Sequence, residues 1–333
     1  MAREVIKIDQ SEITARIFGV GDAHVRDLEA AFGVDIQNRS QGDGDAIVIT
    51  GTEDGVRLAS TALHRLREEA ERAEAISEQR VSYIIGMVKD GEGAALEALD
   101  DSTICLTSRG KPVKAKTVGQ RKYVEAIKKN TIVLGVGPAG TGKTFLAVAM
   151  AVKALRAGEV NRIILTRPAI EAGEKLGFLP GDLQSKIDPY LRPLYDALYE
   201  MMGAENYAKM VEKGVIEVAP LAYMRGRTLD DSFIILDEAQ NATPEQMKMF
   251  LTRLGFHSKA VVTGDLTQTD LPSGQKSGLA MAVKIIVGID DIVIHQFSDR
   301  DVVRHKLVQK IILAYERFER EQQRQKKGER TSK

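Results

Sequence analysis

Residues Gly137-Pro138-Ala139-Gly140-Thr141-Gly142-Lys143-Thr144 fit the phosphate-binding pattern G-x-x-x-x-G-K-[ST] at every position. The chemistry served by that spacing is the wrapping of a polyphosphate. Glycines let backbone N–H groups close around phosphate oxygens, and the helix that follows adds its positive end. Lys143 would reach the β- and γ-phosphates of a nucleoside triphosphate, and the Thr144 hydroxyl would ligate Mg²⁺. A second set of groups stands in Phe233-Ile-Ile-Leu-Asp237-Glu238-Ala-Gln240, where four apolar residues lead into adjacent acids. A buried strand there would set Asp237 beside the phosphates to hold Mg²⁺, usually through water. Glu238, one residue on, would orient and deprotonate an attacking water. That adjacent acid suits hydrolysis, whereas a small-molecule kinase built on the same loop does not need it.

These groups require elements that hold them. Thr131–Val136 reads as a short buried strand before the loop, and the Ala- and Leu-rich run Phe145–Leu155 as a helix after it. Further strands are predicted at Arg162–Thr166, Val215–Ala219, Ser232–Asp237, Lys259–Thr263 and Asp291–Phe297, with helical segments between most of them. Such alternation predicts an α/β fold with a mainly parallel sheet and a ligand at the C-terminal strand ends. Before it, Glu4–Asp9, Val34–Arg39 and Ala46–Thr50 read as strands, and Glu12–Phe18, His24–Phe32 and Thr52 to about Glu74 as helices. The expected organisation is a small α+β domain over 1–75 and a connector with a hairpin and a basic stretch over 76–117. A nucleotide domain over 118–315 and a basic, fraying tail over 316–333 complete it. The segment from Arg167 to Leu198 holds Gly173, Gly177, Pro180, Gly181, Pro189 and Pro193, too many breakers for one long helix. RNA contact or subunit contact is expected there.

Lys+Arg and Asp+Glu both total 47, so net charge selects no partner. Local charge says more: Arg109 to Lys129 carries eight basic residues against the single acid Glu125, and the tail beyond Glu316 is also basic. Such runs suit phosphate backbones, or are merely solvated faces. The single cysteine, Cys105, excludes an internal disulfide, and five scattered histidines lack metal-ligand spacing. The first residues lack the apolar core of a signal peptide, and no apolar run approaches membrane-spanning length. A cytoplasmic protein with no membrane partner is the expectation.

The order β-α-α-β-β-α at the start, with a glycine turn between the paired helices, resembles a KH domain. KH domains clamp a single strand with a G-x-x-G loop. Here the turn is Gly19-Val20-Gly21-Asp22, with an aspartate in place of the second glycine, so an RNA clamp and an assembly module are both open. Asp237-Glu-Ala-Gln240 and Gly264-Asp265-Leu266-Thr267-Gln268 resemble elements of superfamily 1 helicases, which implies that Gln268 or Asp265 senses the γ-phosphate. Gln120 resembles the helicase glutamine that reads adenine; it and the lack of an N-K-x-D motif favour ATP over GTP. The alternatives are a plain loop for Gln268 and a surface helix position for Gln120.

More specifically, the run Arg109–Tyr123, Thr166-Arg-Pro-Ala-Ile170, Gly177-Phe-Leu-Pro-Gly181, Arg225-Gly-Arg-Thr228, Asp237-Glu-Ala-Gln-Asn241 and Asp299–His305 resemble the PhoH-like family over essentially the whole chain. The resemblance implies a RecA-like P-loop ATPase using ATP and Mg²⁺, tied to RNA and to ribosomal RNA maturation with an endoribonuclease partner. Some relatives carry a PIN nuclease domain, whose acidic cluster this sequence lacks. Superfamily 1 enzymes use a second core to bring an arginine to the γ-phosphate, and one core is visible here. A neighbouring subunit would have to supply it, which implies a homo-oligomer, a hexamer by the resemblance. Arg225, Arg227, Arg300 and Arg304 are the candidates. Two other readings remain, an ATP-switched adaptor that recruits a nuclease and a P-loop kinase.

Overall fold

The computed structural model describes residues 1–41, 44–72, 75–99, 103–168, 183–272 and 274–303, and a few positions after them. The backbone divides into two units, Met1–Ala98 together with the described positions from Val303 on, and Leu99–Val302. Among the described residues, no helix is long and apolar enough to cross a membrane.

In the first unit, β1 (Ala2–Ile8), α1 (Ser11–Phe18) and α2 (Ala23–Phe32) precede β2 (Val34–Gln41), β3 (Gly44–Gly51), α3 (Glu53–Glu71) and α4 (Glu78–Lys89). The strands form an antiparallel sheet in the order β1-β3-β2, with Ile6 opposite Ile47 and Ile36 opposite Ile49. Alternation in the strands sends these isoleucines to one face, where they are buried with Ile17, Leu28, Leu63 and Leu66 from the helices. Thr52 caps α3 by accepting the Gly55 N–H at 3.2 Å. The arrangement is compatible with a KH-like module. Its turn, Val20–Asp22, puts Gly21 and Asp22 at positive φ and leaves Val20 exposed.

The second unit opens with a hairpin, β4 (Thr103–Leu106) and β5 (Pro112–Lys114), then α5 (Val118–Lys129) and β6 (Ile132–Val136). There follow α6 (Lys143–Arg156), β7 (Arg162–Arg167), α7 (Leu183–Met202), α8 (Ala204–Glu212), β8 (Ile216–Pro220) and β9 (Ser232–Leu236). Last come α9 (Pro244–Leu251), β10 (Lys259–Gly264), α10 (Gly278–Ile285) and β11 (Ile292–Gln296). β6 to β11 make one parallel sheet in the order β11-β6-β10-β9-β7-β8. Its central strands are built on apolar runs because both faces are covered. Val133, Leu165, Ile235 and Val261 point into one core; their strand neighbours Leu134, Ile164, Ile234 and Val262 point into the other.

Pro189 and Pro193 do not break the chain: both lie inside α7. Leu191, Leu194, Leu198 and Met201 of that helix are buried against the sheet. At about 1.5–3 kcal/mol per buried side chain, that packing offsets the roughly 3 kcal/mol each interior proline costs. The Gly173–Gly181 part of the same segment lies outside the described residues.

The start of α5, which carries Gln120, is fixed by Asp301. Its Oδ1 accepts the Thr117 hydroxyl at 2.6 Å and the Gly119 N–H at 3.2 Å, and its Oδ2 accepts the Ser298 N–H at 2.9 Å and hydroxyl at 3.0 Å. Asp301→Ala strands the buried Thr117 hydroxyl and removes the acceptor of the Gly119 and Ser298 donors. A loss of about 1–3 kcal/mol is expected, read as a lowered melting temperature or denaturant midpoint.

Candidate nucleotide site

The glycine loop leaves the C-terminal end of β6 and enters α6. Gly137 has φ +152, and a Cβ added to it would lie 2.6 Å from the Phe297 Cβ, so only glycine fits. Its N–H donates to the Gly264 carbonyl at 3.1 Å, tying the loop to the end of β10. Gly140 and Gly142 also have positive φ, which turns the loop back on itself. The N–H groups of Gly140 and Gly142 donate to no other described residue, and α6 begins without a side-chain cap. An uncapped helix start below unengaged N–H groups is a seat for an anion.

Lys143, 9% exposed, folds over the loop: Nζ donates to the carbonyls of Gly137 at 2.6 Å and Pro138 at 2.7 Å. Thr141 closes the same turn with its hydroxyl on the Pro138 carbonyl at 2.9 Å. Gln120, buried, donates from Nε2 to the Thr141 carbonyl at 3.1 Å and accepts the Lys116 N–H on Oε1 at 2.7 Å. Its amide therefore braces the loop, with one donor hydrogen and one lone pair beyond these two bonds. Pro138 and Ala139 complete the loop, both half-buried.

Across from the loop, β9 ends at Leu236 and delivers Asp237, buried at 4% exposure. Its N–H donates to the Thr166 carbonyl at 2.9 Å. Its Oδ1 accepts the Thr144 hydroxyl at 2.6 Å and the Thr263 hydroxyl at 2.7 Å. Glu238 follows in the left-handed region, φ +51, an uncommon conformation for a residue with a Cβ. Its Oε2 accepts from Gln240 Nε2, and its Oε1 lies 3.4 Å from Arg167 Nη2. Gln240 Oε1 in turn accepts the Asp265 N–H at 3.0 Å, so one amide links the acid after β9 to the turn after β10. Asp265 Oδ1 holds the Thr267 N–H at 2.9 Å and hydroxyl at 2.7 Å, while its buried Oδ2 has no partner. Asn241 and Asp270 pair through two hydrogen bonds beside these.

Lys143, Thr144, Asp237, Glu238 and Asp265 thus share the C-terminal edge of the sheet. The Gln268 side chain stands apart from them: the residue is exposed, and among the described residues it bonds through its backbone N–H to the Asp265 carbonyl at 3.4 Å. Of the four arginines, Arg227 is gripped through both terminal nitrogens by Glu217 at 2.6 and 2.7 Å, and this pairing raises its pKa. Arg225 is exposed on the turn after β8, and Arg300 is exposed in the Asp299–Asp301 turn. Arg304 lies outside the described residues.

Sequence reasoning missed three contributors: Arg167, Thr263 and the linking role of Gln240. Arg167 carried a signal, since a charged residue ends strand β7 after an apolar run, much as Asp237 follows β9. Thr263, inside an apolar run, carried none.

A glycine loop on a parallel sheet, with the loop strand and the Asp237 strand separated by β10, defines a RecA-like P-loop fold. A family model described as PhoH-like protein matches residues 112–316. The chain is 50% identical over 311 residues to a PhoH-like protein of Bacillus subtilis (strain 168), covering 93% of this chain and 96% of that one. It is 53% identical over 309 residues to a PhoH-like protein of Mycobacterium tuberculosis (strain ATCC 25618 / H37Rv), covering 92% and 86%. Against Protein PhoH of Escherichia coli (strain K12) it is 46% identical over 206 residues, 61% of this chain and 58% of that one. The chain belongs to the PhoH-like family.

Proposed function

We propose that this chain is a Mg²⁺-dependent ATPase of the cytoplasm that acts on RNA as a homo-oligomer. The observation that carries the reading is the Thr144–Asp237 contact of 2.6 Å, with Glu238 one residue beyond and the loop N–H groups unengaged on the other side. Among the described residues no cluster of three His, Cys, Asp or Glu side chains is spaced to hold a metal. A hydroxyl beside one carboxylate nevertheless suits Mg²⁺, which takes few protein ligands and keeps waters and phosphate oxygens. When bound it would neutralise phosphate charge. The loop N–H groups and Lys143 would hold the phosphates. Glu238 would take a proton from water as the water oxygen bonds to the γ-phosphorus. The bond to the bridging oxygen breaks, its electron pair leaves with ADP, and the proton passes on to phosphate or solvent. The spare donor and lone pair of Gln120 support adenine as the base.

The KH-like unit and the exposed cations Arg109, Lys111, Lys122, Lys128 and Lys129 support RNA as the partner. The oligomer rests on the single RecA-like core among the described residues and on the exposed position of Arg225. A second reading is favoured by one observation: Lys143 and Glu238 are both held by internal contacts, which suits a slow ATP-switched adaptor that recruits an endoribonuclease of ribosomal RNA maturation. Steady-state phosphate release from ATP, with and without single-stranded RNA, separates the two. Stimulation of about tenfold or more, within the range of typical allosteric coupling, is expected for an RNA-driven ATPase. Slow turnover indifferent to RNA favours the adaptor.

A further inference from the structure

Arg167 ends β7 with its guanidinium against both acids of the site. Nη2 lies 3.4 Å from Glu238 Oε1, and Nη1 lies 3.9 Å from Asp237 Oδ2 while donating to the Tyr190 carbonyl of α7 at 2.8 Å. The side chain is 21% exposed. β7 pairs with β9 so that Thr166 stands opposite Leu236, which brings the next residue of each strand, Arg167 and Asp237, to the same edge. Asp237 bonds through its other oxygen to Thr144 in the first turn of α6. The guanidinium is therefore two contacts from the phosphate loop.

The grip on the acids is loose. Arg227 holds Glu217 with two short parallel bonds, whereas Arg167 shares its fork between two carboxylates at distances beyond an ordinary N–H···O bond. A fork held in this way can be captured by an acceptor of higher charge and matching geometry, and a terminal phosphate is one. The same-chain arginine also bears on a need otherwise left to a neighbouring subunit, a cation for the charge that develops on the transferred phosphoryl group.

We propose that Arg167 is a γ-phosphate-responsive catalytic residue supplied in cis, an assignment that rests on the ATPase reading. Without nucleotide it holds Glu238. With a nucleoside triphosphate it turns to the terminal phosphate and frees Glu238 Oε1 for the attacking water; with a diphosphate it returns to Glu238. Because Nη1 also holds the Tyr190 carbonyl, the exchange is felt by α7.

The test compares the full chain with Arg167→Ala for Mg²⁺-dependent affinity toward the β,γ-imido analogue of ATP and toward ADP, together with single-turnover hydrolysis. The analogue should bind about tenfold or more weaker while ADP stays within about threefold, the difference of one charge-assisted contact. Hydrolysis should fall by about 10³-fold, the lower end for a catalytic arginine. Parallel losses for both nucleotides, unchanged affinities, or faster hydrolysis would each overturn the assignment. Should the alanine variant melt at the assay temperature, Arg167→Lys, which keeps the charge without the fork, is read by the same ratio. A wild-type chain that binds neither nucleotide overturns the ATPase reading and this assignment with it, whereas parallel losses from an active wild type overturn the assignment alone.

Discussion

Glu238→Gln should bind ATP with nearly unchanged affinity and hydrolyse it about 10²–10⁴-fold more slowly, the usual contribution of a positioned general base. The substitution keeps the shape of the side chain. The remaining carbonyl oxygen can still accept from Gln240 Nε2 with the new NH2 placed toward Arg167, 3.4 Å away, so the left-handed backbone at 238 and the 3-10 turn Ala239–Asn241 keep their anchor. What the amide lacks is an oxygen able to take a proton from water. Nucleotide affinity should stay because the groups expected to hold phosphate lie elsewhere, in the loop, Lys143 and Thr144. Single-turnover phosphate release beside an equilibrium binding titration reads both halves. Near-normal hydrolysis would move the base to another group, and Asp265, with its unpartnered buried oxygen, is the next to examine.

The second large effect is expected at Lys143. Its ammonium is satisfied by the Gly137 and Pro138 carbonyls, so in the nucleotide-free chain it clasps the loop shut. A phosphate entering the loop would have to exchange with those carbonyls, which an ammonium on a flexible stem allows. Lys143→Ala removes both the clasp and the cation. Charge-assisted bonds contribute about 1.5–3 kcal/mol each, so affinity for ATP should fall about 10²-fold or more. Titration with a fluorescent ATP analogue measures it. Affinity kept within about threefold, a change smaller than one hydrogen bond, would mean that the phosphates do not sit in this loop.

All six parallel strands were legible: the central ones, covered on both faces, are short apolar runs, and the half-covered edge strands β8 and β11 still keep apolar residues such as Ile216, Val218, Ile292 and Ile294. The glycine loop and the Asp237-Glu238 pair were legible for a different reason: their chemistry is concentrated in adjacent residues. What stayed hidden depends on strands being neighbours. Nothing in the alternation of strands and helices says that β10 lies between β6 and β9, or that β7 flanks β9, and without that order Arg167 has no link to Glu238. Arg227 looked available for a neighbouring subunit until Glu217, across a turn, was seen to hold it. Pro189 and Pro193 were weighed by backbone rules alone, while four buried apolar residues decided the helix. The place of Gln120 before β6 points to adenine, while its contact with the Thr141 carbonyl belongs to a loop that only folds into place in three dimensions.

The position of β6 in the sheet has a bearing on how the protein is made. This strand, the first of the sheet to be synthesised, pairs only with β10 and β11, the last two, through Ile132 opposite both Ala260 and Ile292. Phe297 packs against Gly137 and Asp301 fixes the start of α5, and both come later still. A chain emerging from the ribosome therefore carries its glycine loop through the next 120 residues, from Thr144 to Gly264, without the walls that shape it. Pairings so distant in sequence close slowly. A nucleotide held by this loop would therefore stabilise the unit only once its end has been translated.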